Sequence, residues 1–123
     1  MFTTLTEICK QGAYVALYTD VNDSSKFIFG RIISINKDEI AIYTISPEGY
    51  FDGIVAKKTD EIIRIDLGGR YINKMEKLMA LHNVETPMYL LDKDHIFKSL
   101  LILAKDSMKI VSLELLESGY SDV

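Results

Sequence analysis

Asp92-Lys93-Asp94-His95 is the densest run of potential metal ligands in the chain, with three donors in four residues. A metal needs further donors spaced so that the fold gathers them around one point. No second acidic or histidine cluster offers that spacing. Both carboxylates also precede an apolar run of helical period, where acidic residues are expected to cap the helix. No metal is therefore expected. Asp20, Asn22 and Ser24 match positions one, three and five of a calcium loop, but Ser25 stands where Gly is needed and Arg31 where Glu is needed.

Covalent chemistry has as little to work with. Cys9 is the only cysteine, and the two histidines, His82 and His95, are far from it in sequence. No serine lies in a Gly-x-Ser-x-Gly elbow. The abundant carboxylates show no spacing that marks an acid–base pair. The sequence names no catalytic residue and no cofactor, and the expectation is a protein that is not an enzyme. A lone cysteine also allows no internal disulfide and no thiolate metal site.

Binding chemistry is better represented. Gly68-Gly69-Arg70 lies between a strand pattern and a helix pattern, where free backbone N–H groups and a guanidinium can hold an anion. The competing reading is a tight turn that needs glycine for its backbone angles. Tyr43, Tyr50, Phe51, Lys57, Lys58, Arg64 and Arg70 fall on or beside strands. Aromatic faces stack on bases and cations hold phosphates, which is how small barrels bind single strands. Of these, Lys57, Arg64 and Arg70 are expected at phosphates and Tyr50 at a base. Some of the aromatics must fill a core instead, and Lys57-Lys58 beside Asp60-Glu61 also reads as a solvated turn.

Charge weighs against nucleic acid as the main partner. The 123 residues carry a formal charge of −4 and a pI near 5.1. Ser24–Leu81 holds nine basic and eight acidic residues, and the rest holds five and ten. The chain start lacks a basic segment followed by an apolar one, and no apolar run reaches the roughly 18–20 residues needed to span a bilayer. The expected location is cytoplasmic, with no membrane contact.

The elements that must position these residues are mostly strands. Thr4-Leu5-Thr6-Glu7 fits a capping box for a short helix ending near Gly12. Ala13–Thr19 reads as a strand, Asp20–Ser25 as a polar loop, and Lys26–Asn36 as a long strand with Gly30 inside it. A glycine there lets a strand bend sharply. Phe27 and Phe29 are expected on one face before it, and Ile33 and Ile35 after it. Glu39–Ser46, Tyr50–Lys58 and Ile62–Leu67 are further strands, with Ser46-Pro47-Glu48-Gly49 as a turn. Phe51, Gly53 and Val55 are expected on one side of their strand, and Ile63, Ile65 and Leu67 on one side of theirs. Tyr71, Ile72, Met75, Leu78, Met79 and His82 then recur at the helical period, with His82 a partly buried packing residue. Past a connection at Asn83–Met88, Ile96, Phe97, Leu100, Leu101 and Ala104 read as a second helix. A hairpin of Phe97–Ala104 with Lys109–Leu116 is the alternative.

Strands joined by tight turns, without intervening helices, curl into small barrels. Gly30-Arg31-Ile32-Ile33-Ser34-Ile35-Asn36, followed by Asp38-Glu39-Ile40-Ala41-Ile42, resembles the first signature of the Sm-like superfamily. Ile63-Arg64-Ile65-Asp66 resembles the start of the second. Tyr50-Phe51-Asp52-Gly53 and Gly69-Arg70-Tyr71 are similar to uncharacterised bacterial Sm-like proteins. The resemblance implies a strongly bent Sm-like or SH3-like barrel. Ile40 or Ala41 stands where RNA-binding members carry Asn, and Ile65 where the second signature carries Gly, so it implies the fold and not the RNA contacts.

The expected class is α+β, mainly β with flanking helices. Residues 1–82 form the barrel with its N-terminal and closing helices, and residues 83–123 form a helix–strand appendage. Leu5, Val15 and Leu17 recur as Leu101, Val111 and Leu113, so the appendage also reads as the start of a second, incomplete barrel. Ile110, Val111, Leu113 and Leu115 give its strand two apolar faces. Such a strand must pair with its own sheet or with another chain. The expected function is a binding or assembly module that forms a homo-oligomer through this segment, with protein partners. RNA or single-stranded nucleic acid is the alternative ligand.

Overall fold

In the computed structural model, which describes residues 1–23, 25–84, 91–107 and 111–113, the chain is an α+β protein. Helix α1 (Phe2–Gln11) leads into strands β1 (Tyr14–Tyr18), β2 (Ile28–Ile35), β3 (Glu39–Ile45) and β4 (Phe51–Lys58). A single 3-10 turn (Thr59–Glu61) precedes β5 (Arg64–Asp66), then come α2 (Arg70–Leu81), α3 (Ile96–Ser107) and β6 (Val111–Leu113). The strand order is β5-β1-β2-β3-β4-β6, antiparallel throughout except that β6 runs parallel to β4.

β4 and β5 are consecutive in sequence yet lie on opposite sides of the antiparallel run. A flat sheet would separate them by four strand spacings, about 19 Å. One 3-10 turn plus a few extended residues reaches only about 16 Å, so the sheet has to curl. The link touches both ends of that curl. The Thr59 hydroxyl donates to the Asn36 carbonyl (2.9 Å) at the β2–β3 turn, and the Ile63 N–H donates to the Tyr18 carbonyl (2.8 Å) at the end of β1. The sheet nevertheless is not closed into a barrel. Among the described residues no ladder joins β4 to β5, because β5 has three residues and the outer edge of β4 is taken by β6.

The curled sheet is buried on both faces. Leu5 and Ile8 of α1 pack with Val15, Leu17, Ile32, Ile35, Ile40, Ile42 and Ile62 on the inner one. On the outer face Phe29, Tyr43 and Ile45 meet Ile72, Met75 and Met79 of α2, while Ala41, Ile54 and Ala56 meet Ile96 and Leu100 of α3. This explains why β3 is apolar at nearly every position. Two irregularities redirect side chains from simple alternation. A bulge at Ile33 sends Ile35 to the inner face with Ile32, away from Ile33. Another at Asp52 puts Phe51 on the outer face, its ring stacked 4.2 Å from that of Tyr43, whereas Val55 lies opposite Ile42 inside. Before β5 the chain also turns, so that Ile62 is buried and Ile63 and Leu67 are exposed. β5 therefore lacks the expected apolar face of Ile63, Ile65 and Leu67.

The helix ends follow local chemistry less closely. The Thr4–Glu7 capping box does not form: α1 begins at Phe2, and the Thr6 hydroxyl donates back to the Phe2 carbonyl. Gly12 ends α1 in the left-handed region (φ 68°), where a glycine is favoured. The helix reading of Ile96–Ala104 holds, so the hairpin alternative falls. Val111–Leu113 pairs with its own sheet, in register with Ile54–Ala56. Ile110 and Leu115 lie outside the described residues, as do most of the connection at Asn83–Met88 and the chain end.

Candidate functional site

The six residues expected to contact nucleic acid or an anion are not brought to one surface. Tyr50, 52% exposed, stacks its ring 4.1 Å from that of His82 beyond the end of α2. His82 is thus the half-buried packing residue its position implied. Lys57 is 3% exposed, so the reading of Lys57-Lys58 as a solvated turn is corrected. The curl is the reason: it turns the end of β4 inward, and Lys57 lines a hollow with Thr19, Asp20, Lys26 and Ile28 from the β1–β2 side. Arg64 is exposed but engaged. Its Nε and Nη2 donate to the two oxygens of Asp66 (3.1 and 3.2 Å), and its guanidinium lies 4.7 Å over the Tyr18 ring.

Arg70 is placed differently. It is the first residue of α2, whose N-cap, Gly69, provides no side-chain cap. Ile72, Met75 and Met79 point this helix at the core. The opposite face therefore carries Arg70, Lys74 and Lys77, which fall at i, i+4 and i+7 and are exposed. None of the three forms an ion pair with a described residue. With Gly69, Asn73, Leu78 and Leu81 they line a shallow groove of about 720 Å³. The groove thus unites Gly69 and Arg70 of the expected anion site with Lys74 and Lys77, which sequence reasoning missed. The signal was available: the helical period that marks the apolar stripe also puts these cations on one line. Gly68 lies at a smaller hollow on the other side of the strand–helix link.

The acidic run before α3 is a structural joint. Asp92 Oδ1 accepts from the Asp94 N–H (3.0 Å), and Asp92 Oδ2 lies 3.1 Å from His95 Nδ1. These contacts hold the Asp92 carboxyl below the usual carboxylate range, the His95 hydrogen bond foremost. Neither aspartate caps the helix. Glu39 does so from β3: its Oε1 accepts from the Ile96 N–H (2.9 Å) and its Oε2 from the Phe97 N–H (3.2 Å). Among the described residues no three His, Cys, Asp or Glu side chains come together as a metal site. The Asp20 loop holds its shape by Asx turns, with the Asn22 N–H donating to Asp20 Oδ1. Cys9 is half-buried, and burial pushes its thiol pKa up, which opposes use as a nucleophile.

No helix among the described residues is long and apolar enough to cross a membrane. Comparison with family models, curated proteins and solved structures finds no match to this chain.

Proposed function

We propose that this chain is a non-enzymatic binding module of Sm-like or SH3-like type, whose ligand surface is the outward face of α2. The barrel relationship is supported by the strand order β5-β1-β2-β3-β4, the single 3-10 turn between β4 and β5, and the curl these require. The observation that carries the choice of surface is the alignment of Arg70, Lys74 and Lys77 on an exposed face of a helix anchored in the core. A rigid row of cations beside an uncapped helix N-terminus suits an extended polyanion.

Single-stranded nucleic acid is the polyanion favoured here, because Tyr50, an exposed aromatic, stands just past the C-terminal end of the same helix. Labelled mixed-sequence RNA, titrated at about 50 and about 200 mM salt, tests this reading. Three phosphate contacts predict a slope of log K against log salt of about −2. The double variant Lys74→Glu, Lys77→Glu should abolish binding with an unchanged circular dichroism spectrum. Arg64→Glu should weaken it far less, since that guanidinium is already held by Asp66. Absence of binding at the lower salt, or equal losses from both variants, removes the proposal.

Self-association is the assembly part of the same reading. β5 and β6 are the terminal strands of the sheet among the described residues, and a terminal strand is where another chain can add by backbone pairing. A homo-oligomer, with β6 at or near the contact, predicts a mass above the monomer in sedimentation at micromolar concentration. Leu113→Lys should return that mass to the monomer. A monomer throughout excludes it.

A further inference from the structure

Tyr18 at the end of β1, Phe27 just before β2 and Tyr71 in the first turn of α2 meet beside β5. The Phe27 and Tyr71 rings stand at 86° with centroids 5.0 Å apart, and Tyr18 is tilted 42° to Phe27 at 5.3 Å. The Phe27 and Tyr71 rings thus meet edge to face, and the Tyr18 ring stands beside Phe27. A hollow of about 120 Å³ lies among them, with Ala16, Asp66, Gly68 and Ile72 completing its lining. Tyr71 is 38% exposed, so the group lies at the surface.

The chemistry of this hollow is specific. Aromatic faces carry negative potential and attract cations, most effectively those that leave water easily. The Tyr18 hydroxyl donates to Asp66 Oδ2 (3.0 Å), and burial, with that carboxylate, pushes its pKa up, so the ring stays a neutral phenol. Arg64 already places its guanidinium over the Tyr18 ring, so this edge of the sheet accommodates a cation against an aromatic face. Because Asp66 shares its charge with Arg64, most of the attraction for a further cation must come from the rings. The hollow is much smaller than the groove beside α2, which favours a compact ligand.

We propose that Tyr18, Phe27, Tyr71 and Asp66 form an aromatic cage for a methylated ammonium group. This does not rest on the reading of the outward face of α2. An unmethylated ammonium gives up more hydration on meeting ring faces, whereas methylation weakens its hydration and adds dispersion contacts with the rings. The hollow shares neither Lys74 nor Lys77 with the polyanion groove, so the two sites are separately testable.

Choline chloride and Nε-trimethyl-lysine amide are titrated side by side and followed through the NMR ring resonances of Tyr18, Phe27 and Tyr71. The first probe stands for a free small molecule and the second for a modified protein side chain, and the tighter binder assigns the source. Saturable shifts of the three rings are expected, with 3,3-dimethylbutan-1-ol, the uncharged isostere of choline, binding about tenfold more weakly. Tyr71→Leu keeps apolar bulk and should remove binding, and Phe27→Leu serves if that variant does not fold. Four results would each overturn the cage: no saturable shift with either cation, equal binding of the isostere, shifts confined to other residues, or unchanged binding in a folded variant.

Discussion

Gly30→Val is expected to destabilise the protein by about 3 kcal/mol or more, the upper end of overpacking costs. That corresponds to a fall in Tm of roughly 10–20 °C. A Cβ at this position would sit 2.1 Å from the Tyr43 carbonyl oxygen and 3.1 Å from the Thr44 Cα, both backbone atoms of β3. A side chain at the far end of a flexible stem could swing aside; a neighbouring strand cannot. Gly30 does not have a positive φ, so the requirement is closeness of approach and not an unusual backbone angle. The two strands would have to separate at this point of close approach, which disturbs the β2–β3 pairing on which the curl depends. Even Gly30→Ala should lose a substantial part of the stability, since the clash is with Cβ itself. Thermal and chemical unfolding of both variants checks this, and native-like stability of the Ala variant would show that β2 and β3 do not approach so closely.

Glu39→Ala is expected to destabilise the protein by about 2–3 kcal/mol, with the loss concentrated in α3. Its carboxylate accepts from the Ile96 and Phe97 N–H groups and from Asn36 Nδ2, at a partly buried joint. Removing a cap costs about 0.5–2 kcal/mol, and charge-assisted hydrogen bonds are worth about 1.5–3 kcal/mol each before compensation by water. Asn36 holds the other side of the joint, donating to the Lys93 carbonyl (2.6 Å). Without Glu39 the N-terminus of α3 loses its anchor, while Leu100 and Ile96 still pack on the sheet. Amide exchange in α3 should therefore accelerate far more than exchange in β1–β3. Glu39→Gln, which keeps one acceptor, should recover much of the loss. Asp92→Ala should cost less than Glu39→Ala, and the reverse order would return the cap to Asp92.

The contrast between these carboxylates shows what a sequence can carry. Asp92 and Asp94 stand where caps belong, and local reasoning assigns them that role. The tertiary structure gives it to Glu39, 57 positions before the Ile96 N–H that it holds, because the β2–β3 turn delivers Glu39 to the same point. No local pattern records a meeting of that kind.

The period of the apolar residues, by contrast, is a local property. It was enough to place the strands, α2 and α3, since an element that buries one face must repeat its apolar residues at its own period. Gly12 and the turn at Ser46–Gly49 were legible for the same reason, as short-range backbone requirements. The alternation failed at Ile33, Asp52 and Ile62, where bulges and a turn reassign faces to satisfy the curl.

Among the candidate site residues, Gly69 and Arg70 kept their place at an exposed helix start. Lys57 and Arg64 were changed by their surroundings, the first turned inward by the curl and the second held by Asp66 and Tyr18. The sequence by itself determined the elements, because each depends on neighbours within a few residues. Only the tertiary structure decided that the sheet stops short of closure, that β6 covers β4, and which aromatic and charged side chains meet. Those outcomes depend on how far the chain curls and which edge it reaches first, and contacts distant in sequence set both.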